Sequence, residues 1–301
     1  MWLVLPDGIG TMDTSFTNSR ESLASTEVCQ TDWSSLNRPA QIRSLEVDGF
    51  VVLPDLISTD EITAIREELD RLETTAVDYS ENQRGHRHVI ATDSPNTIRL
   101  IANPPVIEFL GDLFGDELIC TSCMFSLAQP GHPGIAIHTD SQPYGSKIFG
   151  KQASSPVLAR VLYYLDDLTP ERSPFKVIPG SHLSMHRDGN PYRRYLSHPD
   201  EVMVTGKAGS AAVLNQTVFH GNYPNHSDSD RRMLGVAYRP AWAGPIDDVT
   251  EHDAQAVARL PDEVKPYFRS KNTRDIDFDV PNRPDNLETD APGISPGRWT
   301  G

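Results

Sequence analysis

The chain has 301 residues, of which 38% are hydrophobic and 23% are charged, and its formal net charge at pH 7 is −15. This composition is sufficient for one large core. The negative charge argues against nucleic-acid binding, which depends on Lys and Arg contacts to phosphate. No segment approaches the roughly 18 to 20 apolar residues that cross a bilayer. We therefore expect neither nucleic acid nor a membrane as a partner.

Two features bear on the cellular setting. The N-terminal stretch has no basic region and only a very short apolar run, so we do not expect a signal peptide. The three cysteines are too few, and odd in number, for a disulfide scaffold. Together these features predict a reducing, cytoplasmic location. The sequence leaves a monomer and a homodimer open.

The first part of the chain predicts helices. Residues 1–40 are polar and lack periodicity, so we expect a loose arm there. A short β-type run ends at Pro54. The next helix starts with a capping box formed by Ser58 and Glu61. Two prolines, Pro104 and Pro105, open a second apolar helix.

From about residue 118 the pattern changes to short apolar runs separated by turn residues, which predicts strands. The expected strands cover 118–127, 135–138, 157–165, 175–178, 211–215 and 233–239. Helices followed by many short strands indicate a mainly β fold with flanking helices, an antiparallel jelly roll. We expect one domain over 41–242, with long polar loops at 141–156 and 183–200. Residues 243–301 are expected to form a polar extension that packs on the domain or covers it.

Four residues carry the strongest chemical pattern. His138 and Asp140 share one side of an extended strand, because residues i and i+2 face the same way. His220 follows a later strand and must come from elsewhere in the fold. Two imidazoles and one carboxylate on one face of a metal suit non-haem Fe(II) enzymes that bind a co-substrate and O2 together. The planar guanidinium of Arg231 suits a dicarboxylate co-substrate, which it can bind through two parallel hydrogen bonds.

Further polar residues are candidates for the co-substrate site. Asn222 lies two residues after the second histidine, while Gln129 and Ser141 flank the first two ligands. An ordinary turn or structural role is the alternative for each of these three. Arg232 competes with Arg231 for the co-substrate. Neighbours on a strand face opposite sides, so only one can point inward, and the spacing favours Arg231.

Other reactive side chains have a structural interpretation. Cys120 and Cys123 have no second cysteine pair, so we interpret them as small core residues rather than a zinc or redox site. His182 lies in a Pro-Gly-Ser-His turn. Arg193 and Arg194 belong to a polar segment, either a solvated loop or a lid.

These motifs resemble the phytanoyl-CoA dioxygenase family of Fe(II)/2-oxoglutarate-dependent oxygenases, over about residues 45–242. The matching segments are Asp48-Gly49-Phe50-Val51-Val52-Leu53, His138-Thr139-Asp140, Leu162-Tyr163-Tyr164-Leu165-Asp166-Asp167, Val177-Ile178-Pro179-Gly180-Ser181-His182 and His220-Gly221-Asn222 with Asn225 and Arg231. Two departures are visible. Arg172-Ser173-Pro174-Phe175 stands where the family often has an Asn-Gly pair, so we expect a different turn there. The aromatic residues often found around the first ligand are absent.

The resemblance implies a double-stranded β-helix with iron held by His138, Asp140 and His220. It implies that Arg231 binds the distal carboxylate of 2-oxoglutarate, which is converted to succinate and CO2 while O2 is consumed. The expected reaction is hydroxylation, or another oxidation, of an unactivated C–H bond of a small molecule. The presence of Asp140 favours oxygenation over halogenation.

The composition also bears on the substrate class. Specialised metabolism is a more natural setting than acyl-CoA breakdown, because the chain is acidic and lacks an obvious basic site for CoA phosphates. Two alternatives stay open. One is a cupin-type isomerase or O2-only dioxygenase that does not use 2-oxoglutarate, and the other is a non-catalytic small-molecule-binding barrel.

Overall fold

The computed structural model describes residues 27–77, 79–140, 157–183, 197–244 and 248–273. The strands are β1 (Glu27–Val28), β2 (Phe50–Leu53), β3 (Thr75–Val77), β4 (Ser80–His86), β5 (Leu118–Ala128), β6 (Ile135–His138), β7 (Ala159–Tyr164), β8 (Phe175–Val177), β9 (Val202–Val204), β10 (Ala211–Asn215), β11 (His220–Asn222) and β12 (Arg231–Pro240). The α-helices are α1 (Arg38–Val47), α2 (Thr59–Leu69), α3 (Pro95–Arg99), α4 (Pro104–Phe114) and α5 (Ala254–Ala258). Short 3-10 helices lie at Trp33–Ser35, Val89–Ala91, Leu100–Ala102 and Lys265–Tyr267.

The strands form two sheets. The larger has the order β2-β10-β7-β12-β5-β4-β3, and the smaller has the order β1-β9-β8-β11-β6. Strands β5 to β12 supply four neighbouring strands to each sheet, all paired antiparallel within it. This is the arrangement of a double-stranded β-helix, with both sheets left open rather than closed into a barrel. The mainly β jelly-roll prediction is confirmed.

Strand β7 shows how the two cores are built. Val161 and Tyr163 belong to the core between the larger sheet and the helices. Leu162 and Tyr164 belong to the core between the sheets, together with residues such as Phe175 of β8. Successive side chains on a strand point to opposite faces, and here both faces are buried. This explains why the run 157–165 is continuously apolar in the sequence rather than alternating.

The helices pack on the outer face of the larger sheet. Helix α2 starts with the predicted capping box, in which the Ser58 backbone N donates to Glu61 Oε2 at 2.9 Å and the Glu61 backbone N donates to Ser58 Oγ at 3.4 Å. Ile65 and Leu69 of the same helix are buried in the core. A buried tyrosine hydroxyl, Tyr163 Oη, donates to the Leu100 carbonyl at 2.9 Å and ties the sheet to the helical layer.

Part of the expected N-terminal arm is ordered. Strand β1 pairs in parallel with β9, and the Trp33 ring packs edge-on against Phe50 with 5.6 Å between the ring centroids. Helix α1 then begins after Asn37, whose side chain accepts a hydrogen bond from the Ala40 backbone N at 3.0 Å. The sequence does not predict this helix, because its apolar residues form only a weak amphipathic face. Residues 1–26 lie outside the described part.

The C-terminal segment 248–273 packs against the helical core. Leu260 and Val264 are buried there, and Tyr267 and Phe268 contact the same cluster. Helix α5 is part of this segment. The remainder of the extension, 274–301, lies outside the described residues, as do the expected loops over 141–156 and most of 183–200. Within the described ranges, no helix is long and apolar enough to span a bilayer.

Candidate metal centre and co-substrate site

The two candidate metal-binding histidines lie on neighbouring strands. Strands β6 and β11 pair antiparallel with His138 directly opposite His220. Residues placed opposite each other in an antiparallel pair have Cβ atoms only about 4.5–5.5 Å apart. The two imidazole rings accordingly lie with centroids 4.5 Å apart. Strand pairing therefore brings together residues that are far apart in the sequence.

Asp140 completes the cluster from the segment just after β6. Its backbone N donates to the Gln216 carbonyl at 2.9 Å, which holds this segment beside the approach to β11. Its Oδ1 lies 3.7 Å from His138 Nε2, and its Oδ2 lies 3.5 Å from His220 Nε2. One ligand atom from each of the three residues lies within 4.8 Å of the others. In the described ranges, they are the one group of His, Cys, Asp and Glu residues with this spacing.

Backbone hydrogen bonds set the tautomer of both histidines. His138 Nδ1 lies 2.9 Å from the Ala136 carbonyl oxygen, and His220 Nδ1 lies 3.0 Å from the Val218 carbonyl oxygen. A carbonyl can only accept, so both Nδ1 atoms carry the proton. Both Nε2 atoms then keep a lone pair, which is the arrangement that a metal-binding imidazole needs.

The electrostatic environment of the cluster affects its ability to bind a cation. Burial lowers the pKa of His220 to about 4, helped by neighbouring His138 and opposed by Asp140. His220 is therefore neutral near pH 7 and able to bind a metal. Arg160, on the inner side of β7, places its Nε 2.5 Å from Asp140 Oδ2. Sequence reasoning missed Arg160, because its contact with Asp140 depends on how the two sheets face each other.

Arg231 lies at the start of β12 and is fully buried. One guanidinium nitrogen, Nη2, donates to Ser173 Oγ at 3.3 Å. The other two, Nε and Nη1, have no hydrogen-bond partner within the described residues. A buried cation without a partner costs several kcal/mol, so this guanidinium fits an anionic ligand such as a carboxylate.

The neighbouring Arg232 faces the other way and is already paired. Its Nε lies 2.7 Å from Asp70 Oδ1, and its Nη1 lies 3.5 Å from the buried Asp166 carboxylate. Its backbone N also donates to Asp166 Oδ2 at 2.6 Å. Of the two arginines, the structure places Arg231 between the sheets and Arg232 in an ion-pair network outside that space.

Two further polar side chains near Arg231 were not found from the sequence. Neither ring nitrogen of buried His132 has a partner in the described ranges, and the Tyr164 hydroxyl lacks a partner of good geometry there. Burial lowers the pKa of His132 to about 3, and nearby Arg231 lowers it further. Burial raises the pKa of Tyr164 to about 12, and Arg231 opposes this shift. Both groups are therefore neutral near pH 7 and can hydrogen-bond to a ligand held by Arg231.

The other candidate residues divide into two groups. Asn222 is buried, and its Nδ2 lies 3.4 Å from the Ser173 and Pro174 carbonyl oxygens. Gln129 is half-buried and follows directly after Ala128, the residue of β5 that pairs with Arg231. Asn222 therefore lies on a strand that borders the site, and Gln129 lies just past the end of another. Ser141 lies outside the described residues.

The described residues that were interpreted as structural are buried and do not belong to the candidate metal cluster. Cys120 and Cys123 are buried free thiols in the core between the larger sheet and the helices. His182 is buried with its Nε2 2.9 Å from the Glu46 carbonyl oxygen, so it joins the end of helix α1 to the Pro-Gly-Ser-His segment. Arg193 and Arg194 lie outside the described residues.

The turn before β8 has an unusual backbone. Ser173, which precedes Pro174, has a φ of 46°, a left-handed conformation that residues other than glycine rarely adopt. Its Oγ donates to the Tyr223 carbonyl at 2.9 Å and accepts from Arg231. The sequence predicts that this turn departs from the Asn-Gly form. The structure shows that the turn keeps a left-handed residue but uses its side chain to hold Arg231.

The fold and the site define a class. A double-stranded β-helix with two histidines and one carboxylate on facing side chains, and a buried arginine between its sheets, is the scaffold of a non-haem iron oxygenase. The model of the phytanoyl-CoA dioxygenase (PhyH) family matches residues 45–233, and the chain belongs to this family. It is an Fe(II)/2-oxoglutarate-dependent dioxygenase.

Known proteins resemble the chain at low identity. The dioxygenase trt7 of Aspergillus terreus is 23% identical over 216 residues, covering 67% of this chain and 73% of trt7. The ectoine dioxygenase of Bordetella bronchiseptica is 23% identical over 231 residues, covering 66% of this chain and 74% of that protein. The crystal structure of HygX from Streptomyces hygroscopicus, with nickel, 2-oxoglutarate and hygromycin B bound, matches with a TM-score of 0.57 at 20% identity, covering 68% of this chain and 88% of HygX.

Proposed function

We propose that His138, Asp140 and His220 hold the Fe(II) ion of this dioxygenase. The observation that carries the proposal is the convergence of three ligand atoms within 4.8 Å, with both histidine Nε2 atoms left free by backbone hydrogen bonds at Nδ1. Arg160 forms an ion pair with Asp140 and so restrains the orientation of its carboxylate. The donor set of two neutral imidazoles and one carboxylate suits Fe(II).

Arg231 is the proposed anchor for the distal carboxylate of 2-oxoglutarate. Its two unpartnered nitrogens can make two parallel charge-assisted hydrogen bonds to that carboxylate. Ser173 fixes the third nitrogen and so limits the rotation of the guanidinium. Asn222 on β11 and Gln129 just after β5 are proposed to contact the co-substrate, and the same proposal extends to Ser141.

The proposed reaction is the oxidation of a C–H bond of a small molecule, with hydroxylation as the first expectation. When bound, iron and 2-oxoglutarate supply the O2-derived oxidant, and succinate and CO2 are released. The protein's part is to orient the co-substrate through Arg231 and to exclude bulk water from the space between the sheets. Specialised metabolism is the proposed setting, since the relatives include fungal dioxygenases and an L-proline trans-4-hydroxylase.

The test is an anaerobic titration with Fe(II) and then 2-oxoglutarate, monitored by the visible charge-transfer band of the chelated 2-oxo acid. Wild-type protein is expected to give the band, and His220→Ala is expected to lose it. His88→Ala, which removes an exposed histidine, is the matched control and should keep it. Iron binding without a band would favour a metal enzyme that does not use 2-oxoglutarate. A band that persists in His220→Ala would overturn the ligand assignment.

A cytoplasmic location is proposed on the basis of the cysteines, since Cys120 and Cys123 are free thiols in the core. Cell fractionation tests this location. Whether the protein is a homodimer stays a prediction, which light scattering on the purified protein tests directly. The strong negative charge supports the expectation that nucleic acid is not a partner.

A further inference from the structure

A cavity lies beside the proposed active site, on the inner face of strands β3, β4 and β5. Its volume is about 210 Å³, and the side chains that matter most among its lining are Gln83, Met124 and Ser126. A dry cavity of about 150 Å³ in another protein is large enough to bind benzene. The cavity can therefore hold a six-membered ring or a group of similar size.

Strand register connects this cavity to the co-substrate site. Gln83 pairs with Ala128, and Ala128 pairs with Arg231 on the next strand. Two residues further along the same two strands, Ser126 pairs with Met233, which lies in the core between the sheets. The cavity is thus a lateral continuation of the space between the sheets, reached from Arg231 across a single strand.

The polar atoms in the cavity form an incomplete hydrogen-bonding pair. Gln83 is only 6% exposed, and its Nε2 donates to Ser126 Oγ at 2.9 Å. Gln83 Oε1 has no partner in the described ranges. Ser126 Oγ accepts the amide hydrogen, so its own hydroxyl hydrogen remains available to donate. An unsatisfied buried acceptor costs about 1–3 kcal/mol, which a bound ligand would offset.

We propose that this cavity binds an uncharged part of the substrate that carries a hydroxyl or carboxamide group. The proposal rests on the proposed function, because it assigns the cavity to the substrate of the same site. A hydroxyl or a carboxamide can donate to Gln83 Oε1 and accept from Ser126 Oγ at the same time. A carboxylate offers acceptors only and is repelled by Oε1, whereas an ammonium offers donors only and leaves the Ser126 hydrogen unused.

Two arginines at the edge of the cavity do not change this assignment. Arg84 is held by Thr74, through its Nε to Oγ1 at 2.9 Å and through its Nη2 to the carbonyl oxygen at 2.7 Å. Arg87 is exposed at the rim, where water screens its charge. Recognition inside the cavity therefore rests on Gln83 and Ser126.

The test uses four ring compounds of one shape: cyclohexanol, cyclohexanecarboxamide, cyclohexanecarboxylate and cyclohexylammonium. Binding to the full-length protein loaded with zinc(II) and 2-oxoglutarate is measured by saturation-transfer NMR. The alcohol and the carboxamide are expected to bind. The carboxylate and the ammonium are expected to bind at least tenfold more weakly.

The variants identify the site. Gln83→Met keeps the side-chain length without the acceptor, and Ser126→Ala removes the donor. Each should weaken the alcohol and the carboxamide at least tenfold. Glu81→Gln changes an exposed residue of β4, the strand that also contains Gln83. It is the control and should leave the binding of both compounds unchanged. Equal binding of all four compounds, binding of none, or unchanged affinity in both Gln83→Met and Ser126→Ala would overturn the proposal.

The Fe(II)–2-oxoglutarate band separates this inference from the proposed function. The band should form in Gln83→Met and in Ser126→Ala as it does in wild type, because neither residue contacts the proposed ligands. A wild-type protein without the band would refute the proposed function. A normal band together with indiscriminate binding of the ring compounds would refute the substrate assignment alone.

Discussion

Arg231 has an unusual environment for an arginine. It is completely buried, yet two of its guanidinium nitrogens lack partners in the described part of the chain. Burial lowers the pKa of Arg231, and Tyr164 and Asp166 oppose this shift. A protein can keep such a group only if the folded state gains elsewhere or if a ligand satisfies it. Binding of 2-oxoglutarate should therefore stabilise the folded protein as well as prepare it for reaction.

The neighbouring arginines give a matched pair of variants. Arg231→Met should raise the Kd for 2-oxoglutarate by at least about 100-fold, because two hydrogen bonds to a charged group contribute about 1.5–3 kcal/mol each. Arg232→Met should leave that Kd within about threefold and instead lower the free energy of unfolding, since it breaks the pairs with Asp70 and Asp166. Calorimetric titration and urea unfolding measure the two effects. Equal losses of affinity in both variants would contradict the assignment.

The lowered pKa of buried His132 predicts that the free energy of unfolding depends on pH. Its pKa is about 3 in the folded protein, against an ordinary value of 6.5, so the unfolded state binds the extra proton between these values. Stability should be unaffected by His132 above pH 6.5 and should fall as the pH drops towards 3. The contribution is about 1.4 kcal/mol per pH unit in this window.

The measurement is urea unfolding of metal-free wild type and His132→Asn from pH 7.5 to pH 4. The difference between the two free energies of unfolding isolates His132 from the carboxylates that titrate in the same range. This difference should be constant above pH 6.5 and should shift in favour of His132→Asn below it. Parallel curves over the whole range would show that His132 is not buried as a neutral side chain.

At this scale, the sequence predicts what depends on local spacing. His138 and Asp140 point to the same side of the chain because they are two residues apart. Arg231 and Arg232 point to opposite sides of β12 because they are adjacent. Arg160 and His132 could not be found in this way. Their importance depends on which strands and turns face each other, and that information is not contained in any local pattern.

The pairing of β6 with β11 is the element on which the metal cluster depends. Gly221 lies next to His220 at the point of closest approach. A Cβ added there would collide with the Ile135 carbonyl oxygen and lie 3.1 Å from the Ala136 carbonyl oxygen. These are backbone atoms of β6, so the strands would have to move apart to accept any side chain. The glycine therefore permits the close approach that brings the histidines together.

Gly221→Ala should weaken Fe(II) binding by at least tenfold, because separating the strands moves His138 relative to His220. Gly111→Ala is the control. Gly111 lies in helix α4 with no atom near the added methyl group, so alanine there should stabilise the protein by about 0.5–1 kcal/mol. Metal competition with a chromophoric chelator measures the affinity. Unchanged affinity in Gly221→Ala would show that the cluster tolerates movement of β11.

Elements with strong apolar signals could be predicted, and those without them could not. Helices α2 and α4 and strands β5, β7, β10 and β12 have such signals. Helix α1 was missed because only its cap, Asn37, and the following Pro39 mark it in the sequence. Strand β3 has only three residues and β4 is polar, and both form because they extend the edge of a sheet that the following strands establish.

For the whole molecule, the segment 248–273 is part of the main core. Leu260 and Val264 are buried in the same cluster as the helices α2 and α4. Leu260→Ala should lower the free energy of unfolding by about 2–5 kcal/mol. Val249→Ala should change it by less than about 0.5 kcal/mol, since Val249 is 45% exposed. Urea unfolding measures both, and a small loss in Leu260→Ala would mean that this segment is dispensable.

The overall architecture could be predicted because many short strands after a helical part favour one fold class. The strands at the edges of the two sheets could not be predicted in this way. They depend on β1, β3 and β4, which are short or polar and occupy positions that no sequence period specifies.

The hydrogen bonds from both histidine Nδ1 atoms end on carbonyl groups two residues earlier, at Ala136 and Val218. Every residue supplies such a carbonyl, whatever its side chain. Side-chain substitutions at these two positions should therefore leave the protonation pattern of the imidazoles unchanged. The readiness of the two proposed ligands to bind a metal thus depends on the backbone path of β6 and of the approach to β11, and not on which side chains stand at positions 136 and 218.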